Sequence, residues 1–394
     1  MKRREILRGA SVLALGSILT GCGRSIALKV ELLKGSVPVQ ALSQFRRSHG
    51  QPVVDFVPEV DLEDLYAILR ASGSGNASMS ASRDGWLSRL NPFRNRPQEN
   101  SAADLILIGD YWLTQAIQQK LVQSLEPETL QNWDQLPSQW QRLVRRNENG
   151  ELDQNGSVWA APYRWGSTVI IYRADQFKRL GWEPQDWSDL WREELRDRIS
   201  LLDQPREVIG AVLKKLGHSY NTPDLQQVSD LESEFRQLHQ KVKLYDSTGY
   251  LRPLILGDTW ATMGWSTDIP LQVQRQYDLK VVIPKSGTCL WSDLWVRPSA
   301  APPFSTNELA TQWIDFCWET DVATQLSLLT EVTSPVVMQM QPQDIPSSLR
   351  ENSILYMDPQ SKTFKDSEFL IPLDSTASQQ YQSLWVKIRK ETRD

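Results

Sequence analysis

Gln204, Arg206 and Glu207 fall where a short apolar run hands over to a helix, and Trp291 stands two residues before Asp293. Trp265 closes another apolar run, ATMGW. An aromatic face beside a carboxylate suits an alkylammonium. The ring attracts the cation by about 0.5–2 kcal/mol and packs its methylenes, while the carboxylate accepts a charge-assisted hydrogen bond. Core or interface packing is the usual fate of tryptophan, and Trp182, Trp187, Trp191 and Trp313, among 16 in all, are read that way. Other chemistries have weaker claims. The nearest approach to a nucleophile elbow, Gly264-Trp265-Ser266-Thr267-Asp268, lacks the closing glycine. No phosphate loop or metal motif occurs, and His49, His218 and His239 are scattered. A glycosidase-like carboxylate pair has no sequence signature to read, and the neighbouring tyrosines of a ferric-ion site are missing.

The elements that must position these groups follow from periodicity. In ISLLDQPREVIGAVLKKLGHSYNT (residues 199–222), Ile199, Leu201 and Leu202 read as a buried strand. Asp203 is expected to cap the following helix, with Pro205 in its first turn. Val208, Ile209, Val212, Leu213 and Leu216 recur at helical spacing, and Gly217 ends the helix. Ligands of open α/β sheets bind at such strand-to-helix edges, although an ordinary βα unit with surface charges shows the same pattern. Further strands are predicted at 28–33, 53–57, 104–108, 168–172, 261–265 and 280–284. Helices are predicted at 39–45, 62–69, 309–318 and 322–329. This alternation predicts an α/β protein with parallel sheets and covering helices. Residues 71–103, with SGSGNASMSAS, Pro92, Pro97 and several arginines, read as an inserted mobile loop. Trp86, Leu87, Leu90 and Phe93 within it pack locally or touch a membrane or partner.

Residues 1–21 read as an export signal. A basic start, KRREILR, matches a twin-arginine pattern, and residues 10–21 are too short an apolar run to span a bilayer. Leu19-Thr20-Gly21-Cys22 reads as a lipobox, with Cys22 acylated as the new N-terminus. Removing the signal takes Lys2, Arg3, Arg4 and Arg8 but only Glu5. The mature chain is therefore more acidic than the −5 of the whole sequence. That balance argues against nucleic acid and mildly favours a cationic ligand. Cys289 and Cys317 are two cysteines rather than a disulfide framework, and read as buried free thiols.

Over residues 28–310 the chain resembles the spermidine/putrescine-type solute-binding proteins of ABC transporters. The stretches that carry the resemblance are DLILIGDYW (104–112), PYRWGSTVIIY (162–172), the run 199–222, GWSTD (264–268) and VIPKSGTCLWSDLWVRP (282–298). The resemblance implies a two-lobed periplasmic binding protein fold (type II) with a hinge between lobes. It implies lobe 1 over 22–161, lobe 2 over 162–290, and a crossover with return to lobe 1 and C-terminal helices over 291–394. Glu207 and Asp293 would hold ammonium groups, and Tyr111, Trp265 and Trp291 would wall the aliphatic chain. Gln204 stands where the family has an aspartate, Leu33, Lys34, Gly35 and Ser36 replace aromatic and acidic residues, and Val332 replaces a tyrosine. These departures imply a shorter, less charged or different ligand, or weaker binding.

The expected function is a non-enzymatic lipoprotein of an ABC importer. It would capture a putrescine- or spermidine-like cation outside the inner membrane and deliver it to permease subunits, as a monomer without a cofactor. The competing readings are a binding protein of this fold for another small solute, a lipoprotein without transport function, and an extracytoplasmic enzyme.

Overall fold

The computed structural model describes residues 26–73, 102–302 and 308–391. The signal segment, the lipobox at Cys22 and most of the 71–103 segment lie outside the described residues. One large sheet runs through both halves of the molecule. Its order is Val54–Glu59, Leu28–Leu33, Leu105–Gly109, Cys289–Pro298, Ala161–Arg173, Ala261–Trp265, Ile199–Leu201 and Val242–Tyr245. The outer strands at each end pair in parallel, as βα alternation requires. The two long central strands pair antiparallel with each other and with the strands on either side of them in this order.

Those long strands cross between two hydrophobic cores. The first core gathers side chains from Leu28 to Tyr163 and again from Leu294 to Val336. The second runs from Val169 to Leu279 and adds Tyr381, Trp385 and Ile388 of the last helix, Ser375–Arg389. The α/β, two-lobed expectation therefore describes the molecule. Trp187 and Trp313 are wholly buried, and Trp182 and Trp191 pack against the second core. Cys289 and Cys317 are both buried and free.

The run after residue 199 folds into strand Ile199–Leu201 and helix Pro205–Lys215, with Gly217 left-handed at φ 79° beyond the helix. One expectation needs correction. Asp203 does not cap this helix. Gln204 occupies the cap position without a side-chain bond, and Asp203 instead pairs with Arg389 at 3.0 Å. The strand predicted at 168–172 is also far longer, Ala161–Arg173. Both of its faces are covered where it passes between the cores, so Pro162, Arg164 and Gly166 extend it without an apolar alternation to reveal them.

Candidate functional site

Register aligns the candidate residues in one strip. Across the antiparallel central strands, Arg164 faces Asp293 and Gly166 faces Trp291. On the other side Thr168 faces Trp265. Residues 164, 166 and 168 alternate to one face of their strand, and cross-strand partners share that face. Gly109 pairs with Asp293 from the far side, so the loop carrying Asp110 and Tyr111 leaves the sheet at the same end.

At the second-lobe end, Glu207 comes in from the first turn of its helix and is 8% exposed. The Thr168 hydroxyl donates to its Oε2, and the Trp265 indole N–H donates to its Oε1 at 3.0 Å. Both donors are neutral. Burial raises the Glu207 carboxyl above its ordinary range, against the pull of those two bonds. Arg206, the next residue back, turns away. Its Nη1 donates to the Ile371 carbonyl at 3.1 Å and its Nη2 to Asn221 Oδ1 at 2.9 Å, tying the helix start to the C-terminal segment. Behind Trp265, the Tyr250 hydroxyl donates to Asp268 at 2.7 Å and accepts from the Trp265 backbone N–H at 3.1 Å.

The middle of the strip is aromatic. The Trp291 ring lies over Gly166. A Cβ at that glycine would stand 2.2 Å from Trp291 Cζ2 and 2.5 Å from Ser266 Oγ. The Trp291 N–H is buried and has no acceptor among the described residues.

The first-lobe end holds Asp293, 2% exposed, whose Oδ2 accepts from Arg164 Nε at 2.6 Å. Burial raises its carboxyl and the guanidinium opposes that rise. Asp110 lies close by, buried, with its Oδ1 accepting from the Ser292 backbone N–H at 3.2 Å. Burial pushes the Asp110 carboxyl up to about 7, against the Ser292 N–H and Arg146, and Asp293 adds to the rise. Tyr111 is 56% exposed and tilts over Trp112 at 4.3 Å, which in turn stacks on Tyr66 at 4.9 Å.

Sequence regions 100–356 match the family model of the bacterial extracellular solute-binding proteins. The chain belongs to that family. This solute-binding protein is 25% identical over 275 residues to the spermidine/putrescine-binding periplasmic protein of Salmonella typhimurium, covering 69% of this chain and 70% of the relative. It is 24% identical over 337 residues to the Escherichia coli protein of the same name, covering 85% and 86%. Among solved structures it resembles a spermidine/putrescine ABC transporter substrate-binding protein from Streptococcus pneumoniae. There the TM-score is 0.72 at 19% identity, over 92% of this chain and 98% of the other.

Within this solute-binding protein, Glu207 and Trp265 are in direct contact, and Trp291 and Asp293 continue their strip. Tyr111 flanks the Asp293 end from its loop. Gln204 does not join them. It is exposed and lines a separate groove of about 210 Å³ with Leu373, Ser378 and Tyr381. Lys34 is exposed, and Ser36 is buried with its carbonyl accepting from the Tyr163 hydroxyl at 2.7 Å. Sequence reasoning missed Arg164, Gly166, Thr168 and Asp110. Arg164 carried a signal, because a cation inside an otherwise neutral stretch that folds as a buried strand must find a counter-charge.

Proposed function

We propose that this protein is the substrate-binding component of an ABC importer and captures a small solute bearing a primary ammonium, the group that polyamines carry. Glu207 carries the reading. It is a buried carboxylate with two neutral donors and no cationic partner among the described residues, and burying a charge without a counter-ion is costly. A primary ammonium supplies the missing charge and donates to the carboxylate, while Trp265 and Trp291 flank its methylenes. The other end of the solute meets Tyr111 and the end of the strip where Asp293 and Arg164 are paired. The relatives' names point to the same ligand class and to an extracytoplasmic location. The sequence adds export by the twin-arginine-like signal and a lipid anchor at Cys22. The protein performs no covalent chemistry. Ligand closes the lobes about the crossing strands, and the closed monomer is what the permease receives.

The test is a thermal-shift panel of amines, neutral sugars and dicarboxylates. Bound ligand raises stability by RT ln(1 + [L]/Kd). Amine-bearing solutes should raise Tm and the others should not. A panel in which no amine shifts Tm refutes the reading.

A further inference from the structure

The two ends of the strip differ in charge. Among the described residues Glu207 has no cation beside it, whereas Asp293 is already paired with Arg164 inside the protein. The charge of Asp293 is thus already balanced within the protein, and Arg164 would repel a second ammonium.

Arg164 also has unused donors. A guanidinium carries five N–H groups in a planar fork. Only Nε is engaged, on Asp293, and the two terminal nitrogens have no hydrogen bond among the described residues. Arg206 behaves differently, because both of its terminal nitrogens are spent on protein acceptors. A buried ion pair is a weak source of stability compared with apolar packing, so structural support does not by itself explain an arginine here. The indole of Trp291 adds a second unspent donor on the same strip. An ammonium cannot accept from either donor, but a carboxylate accepts from both, and the arginine fork fits it in two-pronged fashion.

We infer that Arg164 converts the Asp293 end of the strip into a carboxylate subsite, so that the solute is an ω-amino carboxylate rather than a diamine. Its ammonium sits at Glu207, its methylenes lie along the Trp291 ring that Gly166 lets settle onto the strand, and its carboxylate meets Arg164. The inference rests on the reading that Glu207 holds an ammonium. Residues 164 and 168 stand four positions apart, so their Cα atoms are separated by about 13 Å. Side chains reaching in from both ends shorten that span to the length of a short alkyl chain.

Titration calorimetry on the purified protein tests this with three series of matched length, from three to eight carbons: α,ω-diamines, ω-amino carboxylates and monoamines. At the best length the amino carboxylate should bind at least tenfold tighter than either counterpart. Arg164→Gln should invert that preference toward the diamine by freeing Asp293, and Arg164→Lys should keep it. The wild-type ranking decides the matter even where a variant fails to fold. A diamine or monoamine that binds as tightly as the amino carboxylate overturns the inference but leaves capture of an amine standing. A folded Arg164→Gln protein with unchanged ranking does the same. Failure of all three series to bind overturns both.

Discussion

Glu207→Gln separates the charge of the carboxylate from its shape. In the wild type Oε1 accepts from Trp265 and Oε2 from Thr168. A glutamine keeps its carbonyl oxygen on the indole N–H and turns its amide NH₂ toward Thr168, whose hydroxyl rotates to accept. The local network survives while the charge is lost. An ammonium at this position then exchanges a charge-assisted hydrogen bond for a neutral contact, a loss of about 1.5–3 kcal/mol. That corresponds to roughly 10- to 150-fold weaker binding. The ligand-free protein should move the opposite way. Burial raises the Glu207 carboxyl in the folded state. A raised carboxyl contributes stability that is present below its unfolded pKa and lost as pH rises through its folded pKa. The glutamine variant escapes that loss, so its Tm advantage over wild type should grow from acid to alkaline pH. Calorimetry supplies the affinity and scanning fluorimetry at several pH values supplies the Tm. Affinity within twofold of wild type, or a variant that grows less stable relative to wild type as pH rises, refutes the reasoning.

Gly166→Ala should displace the Trp291 ring, because the new methyl meets Cζ2 at 2.2 Å; ligand binding should fall at least tenfold while far-ultraviolet circular dichroism stays unchanged. Asp110→Asn should remove a pH dependence. The Asp110 carboxyl rises from 3.8 to about 7 on folding, so wild type should lose about 3 kcal/mol between pH 4 and 7 that the variant keeps, as read by urea unfolding. Cys22→Ala should release the protein from the membrane fraction, since stable anchoring needs more than one acyl chain; fractionation that finds wild type already unanchored refutes the assignment. Saturating ligand should lower the radius of gyration in small-angle scattering, and an unchanged value alongside proven binding argues against lobe closure.

Local signals made the frame legible. The strand at Leu28–Leu33 and the helix beginning at Pro205 announce themselves by apolar spacing, a proline in the first turn and a terminal glycine. Glu207 and Trp265 could be nominated from their positions beside turns, and the structure places them in contact. The central strand was the hard part. Its residues are buried on both faces, so no alternation of polar and apolar side chains marks its start at Ala161. With that start hidden, the register was hidden too, and with it the pairings of Arg164 with Asp293 and of Gly166 with Trp291. Gln204 shows the limits of proximity in sequence. It is three residues from Glu207 in sequence, but it stands at the helix cap in extended backbone and lines a groove beside the C-terminal helix.

The crossing strands also set how divisible the molecule is. The first core needs side chains on both sides of the second-lobe segment, up to Tyr163 and again from Leu294 onward. The second core draws its last members, Tyr381, Trp385 and Ile388, from a helix beyond the returning segment. Chain entries and exits are therefore interleaved, and no single cut yields either half with its core complete. The two lobes are not modules that gene fusion or truncation can trade one at a time. A change of partner lobe would have to replace two separate stretches of sequence together, and the strands that join the cores would have to match in length and register.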